Sequence, residues 1–284
     1  MKLKSAFYAG LLCMLSSVLP LKAQSNDVVC SRLEPCSCPD WYDGAYIAPE
    51  IFYERVRISS HSHSISDFVG LPHSKTTHGV FYGANGGYIY KSTWGLYAQI
   101  DANYAVGKLK NHNVSTRLDH NFDVEGLLGF HLWICDFSMI PYIGIGYSYH
   151  RQKFVEETFM EDHLEMRYQV YYVPVGIRMS YLVTPNFEWG LNLKALPQAD
   201  STLKASIFKG IRWELAKTTG YFVEMPLTWN SYHSDYVWKF VLIPFWKMTQ
   251  YGESQKSNRS LVLLTSPKQT YNDWGARLEA GTCF

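Results

Sequence analysis

Between residues 94 and 107 the chain alternates without interruption. Trp94, Leu96, Ala98, Ile100, Ala102, Tyr104 and Val106 fall on one side, and Tyr97, Gln99, Asp101 and Asn103 on the other. A period of two is that of a β-strand, and a polar face backed by an apolar one means that the strand separates two different solvents. The same rhythm returns over 44–57, 78–90, 122–134, 138–150, 168–181, 186–195, 220–229, 236–248 and 274–284. In the last of these, Trp274, Ala276, Leu278, Ala280, Thr282 and Phe284 oppose Asp273, Gly275, Arg277, Glu279, Gly281 and Cys283. The pattern predicts ten strands, with eight or twelve as the neighbouring counts.

The connections between these strands alternate short and long. The stretches 91–93, 135–137, 183–185 and 230–235 are tight, whereas 58–77, 108–121, 151–167, 196–219 and 249–273 are long. Short periplasmic turns and longer extracellular loops are the habit of outer-membrane barrels. The expected fold is therefore all-β, an up-and-down antiparallel transmembrane β-barrel, with both termini in the periplasm because the strand count is even. A secreted β-sandwich would also alternate, but its apolar faces meet each other and its loops keep no short–long order. Trp94, Trp189, Trp229, Trp238 and Trp246 lie on the apolar face near strand ends, where an aromatic belt against lipid headgroups is expected.

The ends and the composition agree with this reading. Residues 1–23 read as a secretory signal, with Lys2 and Lys4 ahead of an apolar run and Ala23 at the cleavage point. Residues 24–42 form a cysteine-containing periplasmic leader, and 43–284 the barrel. The rest of the chain has no apolar run of ~18 residues, so a spanning structure has to be a closed sheet. Aromatic residues make up 16% of the chain, 21 of them Tyr, while the mean hydropathy is −0.16. Aromatic girdles around a polar lumen give both features together. A net charge of +1 gives no sign of a nucleic-acid partner, and no motif calls for a cofactor. The partners implied are outer-membrane lipid and the barrel assembly machinery.

The polar faces place Glu50, Glu54, Asp101, Glu125, Glu188, Glu224 and Glu279 in the lumen with Arg178, Lys194, Lys239, Lys247 and Arg277. Buried charges need partners, and about ten strands leave little room beyond side chains or one small ligand. A network of opposite charges filling the lumen is favoured over a pore that sorts ions. A surface protease would need acids and a histidine together at the rim. The candidates are Asp119-His120, Asp162-His163, and Asp67 near His61 and His63, all in expected loops. His61 and His63 alternate on an extended segment that could chelate a transition metal, although a polar Ser/His loop accounts for them as well. The expectation is a non-enzymatic barrel with a structural or adhesin-like surface role, with a small porin or ligand channel as the alternative.

The segment Trp41-Tyr-Asp-Gly-Ala-Tyr-Ile-Ala-Pro-Glu50 resembles the opening strand of the opacity-type family of small outer-membrane barrels. That family usually has eight strands. Ten-stranded barrels include the omptin surface proteases, whose acid and histidine spacing is not matched on any strand end. A last strand closing on Phe284 resembles the signal that the assembly machinery reads. Loss of the signal leaves Cys30, Cys36, Cys38, Cys135 and Cys283, an odd number in a compartment that permits disulfides. The pattern looks like the cysteine-linked envelopes of chlamydia-like bacteria, with envelope proteins as disulfide partners; a leader disulfide is the simpler reading. Pairing of the first and last strands sets Cys283 beside Cys36 and Cys38. It leaves Cys135 across the barrel as the spare thiol, unless the leader crosses the mouth to meet it.

Overall fold

Alternation becomes a wall. The computed structural model describes residues 44–59, 76–92, 94–110, 116–154, 165–206, 212–232, 237–254 and 268–283. The strands are β1 (Gly44–Ser59), β2 (Thr76–Lys91), β3 (Leu96–Lys110), β4 (Thr116–Phe130), β5 (Leu132–Ile134), β6 (Phe137–Phe154) and β7 (Glu165–Tyr172). They continue as β8 (Val175–Thr184), β9 (Phe187–Ala205), β10 (Arg212–Glu214), β11 (Thr219–Glu224), β12 (Leu227–Tyr232), β13 (Val237–Tyr251) and β14 (Lys268–Cys283). Each pairs antiparallel with its neighbours, and β1 pairs with β14, with Glu50 opposite Arg277 and Glu54 opposite Asp273. The sheet is closed and has ten staves.

Fourteen strands make ten staves for local reasons. Pro174 and Pro226 lack the N–H that a ladder needs, and each splits one stave, giving β7–β8 and β11–β12. The flanking groups keep the wall hydrogen-bonded: Val173 N donates to the Pro197 carbonyl at 3.0 Å and Met225 N to the Pro244 carbonyl at 3.0 Å. β4 and β5 are one stave interrupted at His131, and β10 is a short strand added to the far end of β9.

The tight turns gather at one end, among them Cys135-Asp136 between β5 and β6 and Pro185-Asn186 between β8 and β9. Cys135 takes a positive φ of 53° there. At the other end the long connections are shorter than the sequence implied. The expected loop 108–121 is mostly strand, since β3 runs to Lys110 and β4 starts at Thr116; β6, β7, β9, β13 and β14 likewise run on into the expected loops. The cause is an inversion of the alternation. Through the middle of β3, Ile100 points out and Asp101 in, whereas at its end Lys108 points out and Leu109 is buried inside. In β1, Glu50 faces inward and Ile51 outward; further along, Val56 is inside and Arg57 outside. The strand periodicity persists, but the solvents have changed places.

The outer wall at mid-height is apolar, with Ile47, Ile51, Ile100, Ile145, Leu242 and Leu278 exposed on it. Trp94, Trp189, Trp229 and Trp238 are exposed near the turn end, and Tyr53, Tyr82, Tyr104 and Trp274 nearer the loop end. Two aromatic belts therefore bracket an apolar band.

Candidate functional site

The interior is layered. At the turn end Ile89, Tyr97, Leu127, Ile140 and Tyr142 form a small buried cluster with Tyr46 packed on it. Above it lies a charged layer around a cavity of about 130 Å³. Beyond that, an aromatic core fills the loop end, built from Phe52, Phe81, Tyr168, Tyr172, Trp213, Phe245, Tyr251 and Tyr271 with Val56, Leu109 and Leu203. Glycines make room for the rings. A Cβ on Gly107 would sit 2.5 Å from the ring of Phe81, and one on Gly146 would sit 2.3 Å from that of Tyr172. Phe81 in turn stacks on Phe52 with centroids 5.0 Å apart.

The charged layer holds most of the residues that the alternation placed in the lumen. Lys194 pairs with Glu125, and its ammonium also lies 4.9 Å from the centre of the Phe222 ring. Arg277 bridges Glu224 and, at 3.9 Å, Glu50. Asn103 donates to both oxygens of Glu50 at 3.1 and 3.2 Å. Asp101 accepts from Tyr46 and Gln99, and Arg178 donates to the Tyr97 hydroxyl at 2.9 Å. Lys247 pairs with Asp123 at 2.8 Å. Glu279 lines the same cavity, and Glu188 and Lys239 are buried nearer the turn end. Glu54 lies higher, under the aromatic core.

Sequence reasoning passed over several members. Asp123 stands two residues from Glu125 on an inward face, so the strand period alone could have found it; Asp273 was placed on the polar face of the last strand but not counted in the lumen. Arg117 and Asp119 were hidden because the strands were ended too early, and His150 was the last residue of its expected strand with no partner in view. Arg117 Nε donates to Asp119 Oδ1 at 2.7 Å, and His150 Nε2 lies 2.9 Å from Asp119 Oδ2, all three buried. The expected loop pair Asp119-His120 is thereby corrected. The two residues sit on opposite faces of β4, and His120 Nδ1 lies 2.8 Å from the outward Tyr104 hydroxyl. Outside the wall, Arg151 forks onto Glu165 at 2.8 Å, and Arg167 also reaches it. These hydrogen bonds, Arg151's foremost, hold the Glu165 carboxyl down to about 2.

Other expected features lie outside the described residues: 1–43 with Cys30, Cys36 and Cys38, the histidines His61 and His63, the pair Asp162-His163, Asp67, and Phe284. Cys283 ends β14 at the turn end. Cys135 lies in the tight turn between β5 and β6. Among the described residues no three or more His, Cys, Asp or Glu converge as a metal centre.

No protein-family model and no curated protein matches the chain. Solved structures do. The outer-membrane protease OmpT of Escherichia coli is 11% identical, with 84% of this chain and 96% of that one covered and a TM-score of 0.51. The transport unit of the autotransporter AIDA-I of Escherichia coli is 9% identical over 90% of this chain and 95% of the other, with a TM-score of 0.42. Neisserial surface protein A is 10% identical over 83% and 96%, at 0.34. At these identities the likeness concerns the fold alone, and the fold is that of a ten-stranded outer-membrane β-barrel.

Proposed function

We propose that the protein is an integral outer-membrane barrel that neither conducts nor catalyses, and that its role is structural or one of surface interaction through its loop end. The observation that carries this reading is the layering of the interior. Charges of opposite sign interleave around a cavity of only about 130 Å³ instead of forming a path of one sign, and an aromatic core stands between that cavity and the loop end. A conducting pore needs a continuous wet path, and a buried aromatic cluster towards the loop end argues against one. Of the potentially catalytic groups, Asp119 and His150 are in contact, but both are buried beneath the rings of Tyr168, Tyr251 and Tyr271 and present no face to a peptide.

The orientation belongs to the same proposal. Arg55, Arg57, Lys108, Lys110, Arg151, Lys153, Arg167 and Lys268 face outward just beyond the upper aromatic belt. Cations at that height suit the phosphates of outer-leaflet headgroups, which supports a loop end outside the cell and a turn end in the periplasm. The resemblance of 41–50 to the opacity-type barrels and the cysteine pattern favour a cell-envelope role, with disulfide-linked neighbours as its partners.

Refolded protein in a planar bilayer tests the reading. It is expected to insert without steady current steps, and to leave a peptide library uncut. Regular single-channel steps would move the assignment to a small channel. Cleavage that is lost in His150→Ala would move it to a surface protease.

A further inference from the structure

The line where the barrel closes carries two acids face to face. Glu54 on β1 and Asp273 on β14 are directly opposite in the register that joins the first stave to the last. Both point inward, and they are only 1% and 6% exposed. Like charges directly opposite on a sheet repel, and out of water the repulsion is barely screened. Neighbouring cations are already engaged: Lys247 is on Asp123 at 2.8 Å, and Arg117 is on Asp119 at 2.7 Å. At this level the carboxylates Glu54, Asp119, Asp123 and Asp273 face the cations Lys247 and Arg117, with His150 on Asp119. The interior is thus two positive charges short while His150 is neutral.

The oxygen atoms themselves point to what fills that deficit. Glu54 Oε1 and Asp273 Oδ1 are buried with no hydrogen-bond partner, and so are Asn121 Oδ1 and Thr249 Oγ1. Asn121 spends its amide N–H on Glu54 Oε2, at 3.3 Å, which leaves its carbonyl oxygen turned loose on the same side. All four residues line one cavity of about 40 Å³. A water needs ~10–15 Å³ of such space, so an ion with a water or two fits. The set contains carboxylate, amide and hydroxyl oxygens and no sulfur. Hard cations take such ligands, and a pair of carboxylates completed by neutral oxygens and water is enough for them.

We propose that Glu54, Asp273, Asn121 and Thr249 hold a divalent hard cation, calcium or magnesium, that clamps the seam of the barrel. The ion supplies the missing charge and satisfies the four stranded oxygens. Because it ties the first stave to the last, it stabilises the closed form by mass action.

The test uses the full chain refolded in zwitterionic detergent, where no anionic lipid competes for the ion. Calcium and magnesium are each titrated by calorimetry, and thermal unfolding is followed with and without chelator. One saturable site per chain is expected, along with a higher melting temperature in calcium or magnesium that potassium does not reproduce. In Asp273→Asn and in Glu54→Gln the binding disappears. In chelator both variants melt at or above the parent, because the repulsion has been removed. Asp200→Asn, on the outer face, leaves binding intact and guards against adventitious surface sites. Two results would overturn the proposal: a parent protein indifferent to both cations at millimolar concentration, or binding that survives Asp273→Asn. Stability that rises on acidification and ignores cations would do the same, since it would mean that the two carboxyls share a proton. The parent measurement decides the matter even if a variant fails to refold.

Discussion

One strand, read from end to end, passes through two kinds of protein. At mid-height β3 shows Ile100 to the outside and Asp101 to the inside; at its far end it shows Lys108 outside and Leu109 inside. The lower arrangement suits a wall in lipid. Apolar area on the outer face gains nothing by turning inward, so the interior can be polar provided that its charges are matched. The upper arrangement is that of an ordinary soluble β-domain, where water bathes the outside and burial of Phe81, Trp213 and Leu203 drives assembly. The switch in polarity, with no break in the strand period, marks the height at which the bilayer ends.

If the comparison holds, the two levels respond differently to the loss of a side chain. Phe81 is 0% exposed and stacked on Phe52. Phe81→Ala is expected to cost about 3–5 kcal/mol, as in a soluble core, measured by denaturant unfolding of the refolded barrel. A cost below 1 kcal/mol, a small fraction of that range, would mean that the loop end is not a packed core.

The charged level should behave as a set of pairs. Lys194→Met, which keeps the stem and removes the charge, leaves Glu125 without its partner and is expected to cost about 1–3 kcal/mol. The double variant Glu125→Leu/Lys194→Met should recover most of that loss, since a buried pair is often replaceable by apolar groups of similar size. Failure of the double variant to recover would blur the contrast, because it would show that the layer stabilises as a network and not pair by pair.

The smallest effect lies outside the wall. Glu165 is held down to about 2 by Arg151 and Arg167. A carboxyl lowered in the folded state stabilises at pH values above its ordinary range and loses that contribution as pH falls towards 2. Acidification from neutral pH should therefore loosen the ends of β6 and β7 by about 0.5 kcal/mol, the scale of a solvent-facing pair. Hydrogen exchange at Lys153 and Glu165 would report it, and Glu165→Gln should remove the pH dependence.

How far the chain could be read follows from the same inversion. The ten staves were legible because Trp94 to Val106 and Trp274 to Ala280 alternate against a face of unmistakable polarity. The inward placement of Glu50, Asp101, Glu125, Lys194 and Arg277 came with them. The strand ends were not legible. At Lys108–Lys110 the outward residues turn charged, which in sequence looks like the start of a loop although the backbone continues. Arg117 and Asp119 were lost at that point, because a residue assigned to a loop has no face. The pairing of Glu54 with Asp273 could not be found either. Period two says which face a residue occupies but not which residue of another strand stands opposite; that is fixed by the register of the closing seam.

That seam also governs when the molecule can come into being. Glu50 meets Arg277 and Ser59 meets Lys268, partners separated by nearly the whole barrel sequence. No shorter piece of the chain has both of its edges covered, so every intermediate short of closure carries two unpaired strands. Contacts this distant are the slowest to form, since the entropy of the intervening loop has to be overcome before they contribute anything. Folding of this barrel should therefore be a late, all-or-none event limited by the arrival of β14. Until then the chain depends on being kept apart from its own copies, whose open edges would accept it as readily as its own first strand does.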